Sequence, residues 1–242
     1  MERLQEQLRE FIGRMEDHAA FASSLDELLS VYPFNEFEYI VSTLLAGQKV
    51  SLDEYLELRR SYVERNLYLH LFEEGPRGFG EVWAHAHLRE LAPSLRIAGK
   101  QFDPGFDGEY DLFCEPRIRI EVKASRAVEF NRDAPLYVKA LASNSTKPFD
   151  MNFQQIKPAC CDVFVWVAAW RDVIKYWVIP SHDVEASRYY RQTQHRGNAG
   201  EGQLHLNQSN IHDFDLYLVQ PKDIEAAVAR AYEDQSRSRG RQ

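Results

Sequence analysis

From the start of the chain to about residue 74, apolar side chains recur at intervals of three and four. Leu4, Leu8, Phe11, Ile12 and Met15 form one stripe, and Leu52, Tyr55, Leu56, Tyr62, Val63 and Leu67 form another. That is the period of helices that bury one face. Three residue pairs stand at the N-cap to N3 spacing: Ser24 with Glu27, Asn35 with Glu38, and Ser51 with Glu54. They predict where helices start, because each side chain can satisfy a backbone N–H that the first turn leaves unpaired. Residues 1–75 are therefore expected to be a helical N-terminal subdomain. The stretch GPRGFG, residues 75–80, interrupts the pattern, and a further helix is predicted from about Glu81 to Leu91, ending before Pro93.

Beyond residue 100 the period changes from helical to alternating. Strands are predicted at 109–115, 117–125, 162–170, 173–179 and 214–219. The runs VFVWVAAW and VIKYWVI are separated only by Arg171 and Asp172, which predicts a hairpin inside the core. Alternation assigns the aromatics of that hairpin, Trp166, Trp170, Tyr176 and Trp177, to packing. Pro221 opens a last helix, KDIEAAVARAYED, where its missing N–H costs nothing. The end of the chain, residues 236–242, has no apolar side chain and is expected as a flexible basic tail. The expected architecture is α/β, with residues 76–235 as its core.

Composition narrows the classes. At 242 residues and 44% hydrophobic content the chain supports one well-filled core with a small helical appendage. No apolar run of membrane-spanning length and no secretory pattern is present, so an intracellular, cytoplasmic protein with no membrane partner is expected. Cys114, Cys160 and Cys161 are an odd set without a CxxC spacing, and they are read as reduced thiols. The net charge of −8 argues at first against a phosphate-rich partner. However, residues 1–75 hold 15 acidic and 7 basic side chains, so the excess acid is all N-terminal. Residues 116–160 have a local surplus of cations that includes Arg117, Arg119, Lys123 and Arg126, which allows a basic face there. Phosphate-binding glycine loops and the GxSxG elbow are missing, which removes nucleotide hydrolysis and serine hydrolase chemistry.

The segment RIRIEVKAS carries the chemistry. Ile118, Ile120 and Val122 alternate with Arg119, Glu121 and Lys123, so a strand here places Glu121 and Lys123 together on the face away from the aliphatics. Asp111 lies on the preceding strand EYDLFC, and the turn at Glu115, Pro116 and Arg117 would set it across from Glu121. Two carboxylates hold Mg²⁺ through hard oxygen ligands and leave positions for water and a phosphate. A lysine beside them stabilises charge that develops on phosphorus or orients the attacking water. Lys123 is the only lysine in the chain with a carboxylate two positions before it. The competing interpretation of the same residues is a solvated ion pair on a strand surface.

Asp111 followed by Glu121, Val122 and Lys123 resembles the D…(D/E)xK signature of the PD-(D/E)xK nuclease superfamily, which includes most type II restriction endonucleases. Tyr110 stands where that signature often has proline. The resemblance implies a restriction-endonuclease-like core, a central mixed β-sheet flanked by helices, over roughly residues 78–220. It also implies Mg²⁺, replaceable by Mn²⁺, held by Asp111 and Glu121, with Glu81 as a further acidic ligand. An acid in the first turn of a helix is equally what the helix dipole favours. Asp103 and Asp107 are alternatives to Asp111, but Gly105 and Gly108 make their surroundings a loop.

For DNA contact the candidates are Arg126, Gln155 and Lys157, together with His195, Arg196 and Asn198 in the polar loop 191–210, which also holds Arg191, Gln203 and Asn207. His85 and His87, two apart on a helix, are expected to face different ways and to bind no metal. The function expected is sequence-specific cleavage of double-stranded DNA by a homodimer, paired with a DNA methyltransferase, with the N-terminal helices serving dimerisation or DNA grip. The alternatives are a structure-specific repair or recombination nuclease and a non-catalytic DNA-binding or interaction protein.

Overall fold

The computed structural model describes residues 13–14, 19, 36–130, 133–193 and 201–239. The stripe from Leu4 to Met15, the Ser24–Glu27 pair, Asn35, and the loop residues His195, Arg196 and Asn198 lie outside them. The chain divides into two compact units, 1–65 and 66–242.

In the first unit, helices α1 (Glu36–Ala46) and α2 (Leu52–Glu64) are joined by a turn in which Gln48 has a φ of 54°. The predicted capping box is present in full. The Ser51 hydroxyl accepts from the Glu54 amide, and the Glu54 carboxylate accepts from the Ser51 amide at 2.7 Å. Phe37 stacks on Tyr62 at 4.1 Å, and Tyr55 Oη donates to the buried Glu38 at 2.8 Å. The apolar stripe of α2 is covered only in part: none of its residues is fully buried, and Leu52 is 58% exposed.

The second unit begins with residues that the sequence assigned to the helical part. Leu69, Leu71 and Phe72, on a 3₁₀ turn (Leu69–Phe72), are buried in its core. The predicted helix 81–91 is split into a π-helical stretch, Gly78–Trp83, and α3 (Ala84–Leu91).

Among the described residues the strands form two sheets. The larger has the order β1 (Arg96–Ile97), β2 (Leu112–Cys114), β3 (Ile118–Arg126), β6 (Val163–Ala169), β7 (Ile174–Pro180), β10 (Leu218–Val219). It is mixed, because β3 and β6 run parallel while the other neighbours are antiparallel. The hairpin predicted around Arg171 and Asp172 is present, with Trp166 opposite Trp177 and both buried. All seven residues of β6 are buried, as befits a strand covered on both faces.

One face of this sheet, with Ile120, Val122, Val165 and Tyr176, packs with Leu88 of α3 and with Ile224, Val228 and Ala231 of α4 (Ile224–Arg239). The opposite face, with Phe164, Trp166 and Trp177, packs beneath the second sheet, whose order is β4 (Val128–Glu129), β5 (Phe149–Ile156), β9 (Gly202–Asn207), β8 (Tyr190–Arg191). Phe153 of β5 stacks on Trp166 at 4.8 Å. The result is three layers of helices, mixed sheet and second sheet. Gly202 is required where β8 meets β9, because a Cβ there would overlap the Tyr190 ring and the Arg191 carbonyl.

Three expectations are corrected. Within the polar loop expected at 191–210, Gly202–Asn207 form strand β9. Only Leu218 and Val219 of the strand predicted at 214–219 are extended, because 211–217 coil into a 3₁₀ stretch. The last helix runs to Arg239 instead of stopping short of the tail. Buried Gln235 anchors it by accepting from the His182 amide at 2.8 Å. No helix among the described residues is long and apolar enough to cross a membrane.

Candidate active site

The β2–β3 pairing brings the carboxylates together. Leu112 opposes Ile120 and Phe113 opposes Arg119, so the register carried one step further sets Asp111 beside Glu121. Asp111 is held on three sides. Its amide donates to the Ile120 carbonyl at 3.0 Å, its carbonyl accepts from the Ala98 amide at 2.9 Å, and its Oδ2 accepts from the Val122 amide at 2.8 Å. The side chain thus takes a strand amide that the short β2 leaves without a main-chain acceptor.

On β3, the buried Ile118, Ile120 and Val122 force Glu121 and Lys123 to the other face, as the alternation predicts. Lys123 Nζ lies 2.6 Å from Glu121 Oε1, and both side chains are only 14% exposed. Burial pushes the Glu121 carboxyl up to about 7; Lys123 opposes this, and the neighbouring Asp111 adds to it by charge and hydrogen bonding.

His85 of α3 approaches the pair from the helix side, with Nε2 at 3.6 Å from Asp111 Oδ2. Burial, together with the charge of Lys123, lowers its pKa against the opposing pull of Asp111 and Glu81, which favours the neutral ring. The expectation that His85 and His87 face different ways holds. His87 turns to the Tyr176 hydroxyl at 2.5 Å and stacks on Trp83, whereas His85 joins the acidic group. His85 was not among the predicted site residues. The signal that could have found it is its spacing of four from Glu81, which places both on one helical face.

These groups line a cleft of about 690 Å³, bounded by Glu81 on the π-helical stretch and Arg77 just before it, by Glu121–Arg126 on β3, and by Asp150, Asn152, Gln154 and Gln155 on β5. Glu81 sits at the exposed rim, where its carboxylate accepts from Arg77 at 2.9 Å. Arg126 lines the cleft, but its Nη1 donates to the Leu71 and Glu74 carbonyls at 2.8 Å each, and its guanidinium lies 4.7 Å from the Phe79 ring centre. Gln155 lies at a register shift of the β5–β9 ladder with a φ of 55°. Lys157 is outside the cleft lining and is bound to Glu109 at 2.8 Å, with Glu201 at 3.8 Å. Asp103 accepts from Tyr110 Oη and the Gly105 amide, and so serves its own loop.

Among the described residues, several cations of the 116–160 segment are already paired within the chain. Arg119 grips the buried Asp162 with two nitrogens, Lys147 pairs with Glu129, and Lys123 and Lys157 are engaged as described.

Whether Asp111 and Glu121 suit a divalent cation follows from their chemistry. Mg²⁺ is commonly held by one or two carboxylates, with water and phosphate completing its shell. Two adjacent carboxylates on neighbouring strands, one of them with its pKa raised by burial, fit that demand. Among the described residues, no group of three His, Cys, Asp or Glu is set to hold a metal by itself, so the pair does not suit an ion that needs a protein cage. No protein-family model matches the sequence, and no curated protein matches it.

Proposed function

We propose that this chain is a Mg²⁺-dependent endonuclease that hydrolyses phosphodiester bonds of double-stranded DNA at a specific sequence, in the manner of PD-(D/E)xK restriction enzymes. The observation that carries the reading is the placement of Asp111 beside Glu121, with Lys123 on the same face, inside an open cleft. A bound Mg²⁺ supplies a Lewis acid for the scissile phosphate and makes water nucleophilic near neutral pH. The chain's own groups divide the remaining work. The Asp111 and Glu121 carboxylates provide the anionic ligands, and the Val122 amide fixes Asp111 so that little reorganisation is needed. The Lys123 ammonium provides the positive charge closest to those carboxylates and stabilises the charge developing on the phosphate oxygens. In the hydrolysis, a water oxygen bonds to phosphorus, one P–O ester bond breaks, and the leaving oxygen takes up a proton.

Cutting both strands with one site per chain asks for two-fold symmetry, so the proposal includes a homodimer and, in a prokaryotic cytoplasm, a methyltransferase that shields the host's own DNA. The test is incubation with supercoiled plasmid and Mg²⁺ or Mn²⁺, with EDTA and with Glu121→Ala and Lys123→Ala. Discrete, reproducible fragments that both variants and EDTA abolish are the expected result. A smear, or cutting of branched DNA alone, replaces sequence specificity with a repair or recombination role.

The tight Lys123–Glu121 pair favours a second reading, a non-catalytic binding protein in which the two charges merely neutralise each other. Absence of metal-dependent cleavage on every DNA form, with DNA binding intact in Glu121→Ala, selects it.

A further inference from the structure

The second sheet presents its apolar residues inward, with Met151, Phe153, Leu204 and Leu206 buried against the larger sheet. Its other face is therefore outward, and the register fixes what stands there. Gln154 pairs with Gln203, which in turn neighbours Arg191; Asn152 pairs with His205; and Asp150 pairs with Asn207. On the β5 side this face is continuous with the acidic cleft, whose wall includes Asp150, Asn152 and Gln154.

Asn and Asp are poor strand formers, and neither Asn152 nor Gln154 packs a core. Using them along a central strand of the sheet costs stability, and such local departures are expected where a surface serves binding. Their chemistry is that of amides. The Asn152 amide nitrogen lies 3.5 Å from Gln203 Oε1, while Asn152 Oδ1 is buried without a hydrogen-bond partner. Asp150 lies 2.9 Å from His205 Nδ1. Arg191, at the far edge, is the one permanent cation among the outward residues of β5, β8 and β9. A face so poor in cations has little attraction for phosphates, but paired donors and acceptors on amides match the edges of bases, adenine above all. From Asp150 to Gln154 the strand advances about 14 Å, or about four base steps. A two-stranded ribbon is also of a size that the major groove admits.

We propose that the outward face of the β5–β9 ribbon, centred on Asn152, Gln154 and Gln203, reads base edges of the duplex whose backbone enters the adjoining cleft. The inference rests on the nuclease reading for its substrate. It moves recognition from the polar loop to a rigid sheet.

The test selects bound duplexes from a randomised DNA library with the full-length protein and with Asn152→Thr/Gln203→Thr. Threonine suits strands better than asparagine, so the variant is expected to keep its fold. The expected result is a sequence preference of about four base pairs for the unaltered protein, weakened about tenfold at one or more positions in the variant. An unchanged preference in the variant, no preference in the unaltered protein, or an equal loss of affinity for all sequences overturns the proposal. Should the double variant melt below the parent protein, Gln154→Ala at its exposed position is judged by the same outcomes. Plasmid cleavage with Mg²⁺, compared between the parent protein and Glu121→Ala, is scored separately. Failure there removes the nuclease reading while the selected sequences still decide the base-reading face.

Discussion

Asp111 Oδ2 accepts the Val122 amide at 2.8 Å, so the first acid of the site is tied to the backbone of the strand that bears the second. The bond joins site geometry to strand pairing. A displacement of β2 against β3 would separate the carboxylates and also leave a buried amide without an acceptor.

Replacement of Asp111 should therefore separate structure from chemistry. Asp111→Asn keeps an oxygen for the Val122 amide, whereas Asp111→Ala strands it at a cost of about 1–3 kcal/mol. Both variants are expected to lose metal-dependent cleavage, but only Asp111→Ala should show that loss of stability in urea denaturation.

Glu121 makes stability depend on pH in the metal-free protein. Its folded-state pKa of about 7 lies above the ordinary 4.5, so the fold binds the proton more tightly than the unfolded chain does. The stabilisation is fully present below pH 4.5 and is lost as pH rises through about 7. Glu121→Gln should flatten this slope and melt higher than the parent protein above pH 7, while cleavage falls at least about a hundredfold. Thermal melts across that range and single-turnover cleavage check the two halves. A slope unchanged by the substitution counts against the burial argument.

Mg²⁺ should stabilise the parent protein most at the high-pH end, where Glu121 is ionised, by an amount that grows with metal concentration. Calorimetric titration of Asp111→Asn and Glu121→Gln should show at least about a tenfold weaker affinity in each. Equal stabilisation of both variants and the parent protein would place the metal elsewhere.

Arg126 and Lys157 are expected to behave as structural cations. Arg126→Ala removes two charge-assisted bonds to the Leu71 and Glu74 carbonyls and should cost about 2–4 kcal/mol in denaturant unfolding. Lys157→Ala breaks an exposed pair with Glu109 and should change stability by less than about 1 kcal/mol. If either variant instead weakens DNA binding and reduces its salt dependence with stability unchanged, that residue is a phosphate contact.

The sequence alone determined the features whose signal lies within one segment. Alternation in RIRIEVK put Glu121 and Lys123 on one face. The run of apolar β-formers at 163–180 marked the core hairpin, and Ser51 with Glu54 marked a helix start. The β5 segment FDMNFQ alternates just as regularly, but its asparagine, aspartate and glutamine are weak strand formers, and its partner β9 lies about 50 residues away. Tertiary structure decided what depended on such distant partners: the second sheet, the approach of His85 to Asp111, and the engagement of Lys157 by Glu109. Periodicity shows which way a side chain points within its own element, whereas burial, charge compensation and the walls of a cleft depend on what other elements bring to that face.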